Sequence, residues 1–189
     1  MQFAKDSFFL ALQQRLAGVN PARTVTLSGT TVPAVAVVEN LTPSFAEPQP
    51  NTFYIEWGAA EVVSGGARNG ALMSLNVVIS YYTQGSVASM VDRGRLLAQL
   101  DDELLMICQP PSTGKRDYTQ SPSTDLGTSV FWSPPVFGEV KGSGRFGGKV
   151  SSAEHGQSGV TGDAETHQDG RAERKAQLMI YFFSEVTLS

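Results

Sequence analysis

The chain has 189 residues, a length that suits one domain with a single hydrophobic core. Acidic residues outnumber basic ones by 18 to 14, and the net charge of −4 excludes a general attraction to nucleic acid or anionic membrane. The single cysteine, Cys108, excludes an internal disulfide and is expected to be a buried, unreactive thiol.

The N-terminal region predicts neither export nor membrane insertion. Its apolar run from Phe8 to Leu12 is too short for the core of a signal peptide. No stretch approaches the roughly 20 apolar residues that span a bilayer. We therefore expect a protein that is made and folded in a cytoplasm and has no membrane partner.

The first predicted element is a helix from Ala4 to Ala17. Asp6 or Ser7 is expected to cap its start, and Gly18 to end it. Apolar residues recur along it at helical spacing: Phe9, Leu12 and Leu16. Two short strands are predicted next, at 24–27 and 34–39, and the proline-containing segment 40–51 is expected to be irregular.

A long hairpin is predicted in the middle of the chain. Its two arms are Phe53 to Val63 and Ala71 to Tyr82. The turn between them contains Asn69-Gly70, a pair that supplies the positive φ angles of tight hairpins. Leu75, Val77, Ile79 and Tyr81 alternate with other residues, a pattern typical of a strand covered on one face.

An amphipathic helix from Ser86 to Cys108 follows. Its apolar stripe, which we expect to lie across the sheet, consists of Met90, Leu97, Leu100, Leu104 and Ile107. Gly94 in its interior predicts a closely approaching backbone, because glycine costs about 1 kcal/mol there relative to alanine. Asp101, Asp102 and Glu103 fan around the helix and indicate a solvated acidic face rather than a metal site.

The last predicted strand, Gln177 to Val186, is apolar on both faces. One face carries Leu178, Ile180 and Phe182, which we expect to lie toward the long helix, and the other carries Met179, Tyr181 and Phe183. Two helices cannot cover both faces. The strand is therefore either central and covered twice, or its second face meets another subunit, and we favour the partner.

Between the second helix and the last strand, the sequence predicts little regular structure. Only 129–133 and 136–140 look extended. Nine glycines occur in the 33 residues from Gly138 to Gly170, and a long loop of this kind is usually disordered or functional. Because ordering glycine is entropically costly, we expect residues 138–170 to form an extended arm that needs a partner.

These elements predict an α+β fold. We expect one domain over residues 1–189, with a mixed, mostly antiparallel sheet that contains the long hairpin. The N-terminal helix and the long amphipathic helix flank the sheet. The glycine-rich arm, 138–170, is inserted before the last strand.

Several motifs look chemical but lack their usual context. Gly142, Gly144 and Gly147 spell G-x-G-x-x-G, yet no helical pattern follows, and Gly148-Lys149 lacks the other positions of a phosphate-binding loop. The only histidines, His155 and His167, lie in the glycine-rich segment, where the rigid support that a metal centre needs is not expected. Ser158 lacks the final glycine of a nucleophile elbow. We expect no enzyme activity, cofactor or metal.

The order of elements resembles the tail terminator, or tail completion, proteins of tailed bacteriophages. The resemblance covers residues 1–137 and 176–186, with local likeness in VPAVAVVEN, VDRGRLLAQLDDELL and SVFWSPPVFGEV. It implies a small subunit that forms a ring, expected to hold six copies, which ends the tail tube and docks it to the neck or head connector. The family carries no catalytic signature, so no site residues are transferred.

The resemblance also implies partners and a location. They are further copies of this chain, the tail tube protein, neck or connector proteins and, as an additional candidate, the tail sheath. DNA would pass through the channel without specific binding, and the protein would lie at the tail–neck junction of a virion assembled in the host cytoplasm. Three alternatives stay open: a neck adaptor or head completion protein, another tube or baseplate component, and a nucleotide-binding enzyme that uses the G-x-G-x-x-G segment.

Two groups of residues are the candidate contacts of such an assembly. The candidate subunit interface is the second face of the last strand, formed by Met179, Tyr181 and Phe183. The candidate inter-subunit arm is formed by Gly142, Gly144, Arg145, Phe146 and Gly147.

Overall fold

The structure is a computed structural model that describes residues 1–41, 48–65, 70–85, 92–142 and 171–185. The helices in these stretches are α1 (Gln2–Val19) and α2 (Asp92–Ile107). The strands are β1 (Thr24–Leu27), β2 (Thr30–Pro33), β3 (Val35–Val37), β4 (Phe53–Ser64), β5 (Leu72–Thr83), β6 (Ser112–Asp117), β7 (Thr124–Trp132), β8 (Val136–Phe137), β9 (Lys141–Gly142) and β10 (Ala172–Phe183). A short 3₁₀ turn, Val38–Asn40, follows β3.

Most strands belong to one mixed sheet. Its order is β3-β4-β5-β10-β7-β6, and β8 and β9 also pair with β10. Only the β3–β4 pair is parallel among the described pairs, and the others are antiparallel. β1 and β2 form a separate hairpin. This architecture confirms the predicted α+β fold, and it places β10 at the centre of the sheet.

The long hairpin is present at the predicted position. β4 and β5 pair from Tyr54↔Ser80 to Ser64↔Leu72, with irregularities between Trp57 and Ala60 and between Val62 and Ser64. The turn residue Gly70 has a φ of 77°, in keeping with the predicted glycine requirement. Asn69, the other predicted turn residue, lies outside the described residues.

Both helices pack on the same face of the sheet. α1 lies against β6 and β3, and α2 lies against β10 and β5. The predicted stripe of α2 is buried at Leu97, Leu100, Leu104 and Ile107, whereas Met90 lies outside the described residues. Helix α2 therefore lies across the sheet as predicted, and its apolar stripe belongs to the hydrophobic core.

The start of α1 differs from the prediction. The helix begins at Gln2 rather than at a cap formed by Asp6 or Ser7. The backbone N–H of Phe3 donates to Glu185 Oε1 at 3.1 Å, so the far end of the chain satisfies one of the free donors at the helix start. Ser7 Oγ instead donates to the Phe3 carbonyl oxygen at 2.6 Å. A cap supplied from such a distance in sequence leaves no local signal.

The region after α2 is more regular than predicted. Only 129–133 and 136–140 were expected to be extended, but β6 and β7 form an antiparallel hairpin and β7 begins at Thr124. β6 escaped prediction because it is an edge strand with the sequence STGKRD, whose one buried residue is Lys115. The strand predicted at 34–39 is also shorter, since β3 ends at Val37 and continues as a 3₁₀ turn.

The acidic cluster on α2 is not the predicted solvated face. Glu103 is buried and accepts hydrogen bonds from Arg23 Nη2 at 2.9 Å and from Asn20 Nδ2 at 2.8 Å. Asp101 accepts a hydrogen bond from the Tyr81 hydroxyl and pairs with Arg174 at 2.7 Å. Only Asp102 is exposed. Two of the three carboxylates therefore fasten α2 to its neighbours.

The described residues show no close approach at Gly94, in contrast to the prediction. A Cβ atom at Gly94 would have no described atom within 4 Å, whereas one at Gly58 would lie 3.1 Å from Asn76 Nδ2. Gly58 sits in the irregular part of β4, where it permits the close contact with β5.

Candidate assembly surface

The face of the sheet opposite the helices, called here the open face, carries an apolar row along β10. Alternation along this strand buries Leu178, Ile180 and Phe182 on the helix face. On the open face, Met179 and Tyr181 are half-buried and Phe183 is 37% exposed. The structure thus places the two predicted sets on different faces, and the interface role of the second set stays a prediction.

Neighbouring strands extend this row. Phe131 of β7 lies opposite Tyr181 and is 51% exposed, and Val136 of β8 lies opposite Gln177 and is 71% exposed. We call the five residues Phe131, Val136, Met179, Tyr181 and Phe183 the apolar patch. Sequence reasoning missed Phe131 and Val136, although the buried neighbours Val130 and Trp132 signal that Phe131 points the other way.

Hydrogen bonds fix the backbone beneath the patch. Ser133 N–H donates to the Met179 carbonyl oxygen at 2.9 Å, and Met179 N–H donates to Ser133 Oγ at 3.0 Å. Lys115 Nζ donates to the Phe183 carbonyl oxygen at 2.8 Å. Burial lowers the pKa of Lys115, and the nearby Glu185 raises it by a smaller amount. The patch is therefore presented on a rigid strand rather than on a loop.

A free sheet edge lies near the far end of the hairpin. β3 pairs only with residues 53–55 of β4. Along residues 56–64 of β4, no described strand pairs with the side that faces away from β5. Val62 and Val63 are exposed on this edge, which also carries Glu56, Glu61 and two register irregularities. An unpaired edge offers backbone hydrogen bonds to a strand from another molecule, and its charges and irregularities restrict which strand fits.

The candidate arm is only partly described. Gly142 lies in β9, opposite Ala172 of β10, and is exposed. Gly144, Arg145, Phe146 and Gly147 lie outside the described residues, as does the rest of 143–170. The described start of the predicted 138–170 arm is thus attached to the sheet.

The described residues contain no cluster of three or more His, Cys, Asp or Glu side chains that could ligate a metal. His155, His167 and Ser158 lie outside the described residues. Cys108 is buried, and this burial raises its pKa to about 12, with a smaller opposing effect from Arg15. The thiol is therefore protonated and inaccessible at neutral pH, as the sequence predicts.

Neither described helix combines the length and the apolar character that crossing a membrane requires.

Comparisons with known proteins identify no family. No protein-family model matches the sequence, and no curated protein matches it. Among solved structures, a chain from "Virion of native gene transfer agent (GTA) particle" aligns over 92% of this chain and 95% of that chain, with 15% sequence identity and a TM-score of 0.34. At this level the likeness carries no argument about function.

Proposed function

We propose that this chain is a structural virion protein of the tail terminator kind. In this proposal it forms a ring, expected to contain six copies, that ends the tail tube and docks it to the neck or head connector. The observation that supports it most directly is the apolar patch, which no described helix covers. Exposed apolar patches on soluble proteins often mark sites of protein–protein interaction.

The proposed mechanism is geometric. A closed ring requires each copy to offer two different surfaces, one for each neighbour. The apolar patch and the free edge of β4 are two such surfaces on one rigid sheet. Closure of the ring would match the symmetry of the tube, stop its growth and create a docking surface for the connector. The tail sheath is an additional candidate partner.

The proposal assigns no catalysis to the chain and no specific contact to DNA. The net charge of −4 suits a channel wall that must let DNA pass without holding it. Calorimetric titration of the full chain with ATP, GTP and NAD should give no heat of binding. Micromolar affinity for any of them would instead favour a nucleotide-binding enzyme.

Native mass spectrometry and electron microscopy of the purified full chain test the ring itself. We expect six-fold particles whose population rises with protein concentration. Twelve-fold particles would favour a neck adaptor over a tail terminator. A chain that stays monomeric at all concentrations would contradict self-assembly.

A further inference from the structure

Helix α1 covers two edges of the large sheet. On β6, the Arg116 N–H donates to Ser7 Oγ at 3.0 Å. On β3, the Val35 carbonyl oxygen accepts a hydrogen bond from Gln13 Nε2 at 3.1 Å. A backbone group that already bonds a helix side chain is not free to pair with another strand, and a covering helix is a common protection of sheet edges.

Two other edges have no such cover among the described residues. One is the free edge of β4, residues 56–64. The other, called here the β9 edge, is formed by residues 138–142, which run along β10 and are all exposed. The Gly138 N–H, which donates to the Lys175 carbonyl oxygen at 2.8 Å, holds the start of this segment on β10. No described strand pairs with its outer side.

The strand order gives the two edges matching directions and faces. β4 runs antiparallel to β5, β5 to β10, and β10 to β9, so β9 runs opposite to β4. Two copies that stand side by side in the same orientation therefore bring β4 of one antiparallel to β9 of the other, with their open faces on the same side. This is the head-to-tail contact that a closed ring repeats.

Each edge carries one unpaired charge on the open face. Glu61 lies opposite Ser74 of β5, which in turn lies opposite Tyr181 on the open face. Lys141 lies opposite Glu173, which alternates onto the same face of β10 as Tyr181. Neither Glu61 nor Lys141 forms an ion pair with any described group. Both charges are available to a partner.

Exposed valines adjoin the two charges and select one register. Val62 follows Glu61 and is 63% exposed, and Val140 precedes Lys141 and is 49% exposed. When Glu61 lies opposite Lys141 in an antiparallel pair, Val62 lies opposite Val140. A shift by two residues keeps the faces but places Glu61 opposite Glu139. Opposite charges stabilise a cross-strand pair and like charges destabilise it.

We propose that residues 60–62 of β4 pair antiparallel with residues 140–142 of the next copy, with Glu61 opposite Lys141. The irregularities on both sides of 60–62 limit the regular pairing to this short stretch. The pairing rests on the proposed function, because it names the surfaces that meet when the ring closes. It is continuous with the apolar patch, since Val136 lies two residues before the β9 edge.

Cross-linking of rings formed by the full chain tests this register. Eight residues of β10 separate the rows of Glu61 and Lys141, so the two are about 26 Å apart along the strands of one copy and a disulfide between them joins only different copies. Antiparallel partners have Cα atoms about 4.5 to 5.5 Å apart, which suits a disulfide. Mild oxidation of Glu61→Cys/Lys141→Cys should give covalent oligomers of up to the full ring. Glu56→Cys/Lys141→Cys and each single variant should not.

Charge reversal tests the same pair without oxidation. Glu61→Lys and Lys141→Glu should each raise the concentration of half-assembly about fivefold, and the double variant should restore it. Glu56→Lys combined with Lys141→Glu should not. Absence of rescue, equal rescue by both combinations, or rings that form without cross-linking would overturn the pairing while the proposed ring stands. A chain that is monomeric at all concentrations would contradict both.

Discussion

The two faces of the sheet are both apolar along the second half of β10, residues 178–183, but they differ in cover. Leu178, Ile180 and Phe182 are at most 3% exposed beneath the helices, whereas Phe183 on the open face is 37% exposed. Polar groups on the helix face also form hydrogen bonds within the chain. For example, Trp132 Nε1 donates to the Cys108 carbonyl oxygen at 2.8 Å. On the open face, the described chain leaves the apolar patch accessible.

This difference indicates that the apolar residues on the two faces of β10 have different roles. An antiparallel sheet covered on one side normally alternates apolar residues with polar ones. β10 follows this pattern up to Gln177 but not over residues 178–183, although only one of its faces contributes to the described core. We propose that the apolar residues of the other face, which no described helix covers, serve assembly.

The largest expected effect comes from adjacent phenylalanines on opposite faces. Phe182→Ala should lower the free energy of unfolding by about 3 to 5 kcal/mol, because it leaves a cavity in the core. Phe183→Ala should lower the free energy of unfolding of the isolated subunit by about 1 kcal/mol or less. Urea denaturation of both variants measures the difference. Similar losses would mean that the open face is also core.

A second experiment tests how much the Glu103–Arg23 ion pair on the helix face contributes to stability. Glu103→Gln removes the charge that compensates the largely buried Arg23, so the free energy of unfolding should fall by about 3 kcal/mol. Asp102→Asn, the control on the exposed side of α2, should change it by about 0.5 kcal/mol or less. Thermal and urea unfolding give both values, and equal effects would argue against a structural role for the Glu103 ion pair.

The pH dependence of stability gives a third test of the helix face. Burial raises the pKa of Cys108 from 9.0 to about 12, so its stabilising contribution is complete below pH 9 and is lost as the pH rises toward 12. Between pH 9 and 10 this thiol should lower the free energy of unfolding by about 1 kcal/mol. Cys108→Ala should remove that part of the slope, and an unchanged slope would place its origin elsewhere.

The smallest expected effect concerns the exposed side of α2. Gly94→Ala should raise the free energy of unfolding by about 1 kcal/mol, since the added methyl group meets no described atom and alanine favours the helix. Gly58→Ala should destabilise the protein, because its Cβ would crowd Asn76. If Gly94→Ala is destabilising in urea denaturation, that side of α2 is packed after all.

Elements with a strong hydrophobic period could be predicted from the sequence. The hairpin, the buried stripe of α2 and the two faces of β10 follow from spacing alone. β6 could not be predicted, because an edge strand needs few apolar residues and its one buried side chain is a lysine. The helix cap from Glu185 and the Glu103–Arg23 pair join distant parts of the chain, and no local pattern encodes them.

The candidate site was predictable only within one strand. Met179, Tyr181 and Phe183 follow from alternation in β10, but Phe131 joins them because β7 pairs with β10 in a particular register. A cavity of about 500 Å³ on the open face depends on still more, because it combines β4, β5 and β10 with the segment around Pro48. A surface that combines residues from several strands cannot be predicted from the sequence pattern until the order of the strands in the sheet is known.

The central claim is that the apolar patch serves assembly, and the native mass of a charged variant tests it most directly. Phe183→Glu should shift the purified chain from ring to folded monomer, because a charge in a dry interface costs several kcal/mol. Leu126→Glu, at 36% exposure outside the patch, should leave the ring intact. If Phe183→Glu assembles as fully as Leu126→Glu does, the patch is not the assembly surface.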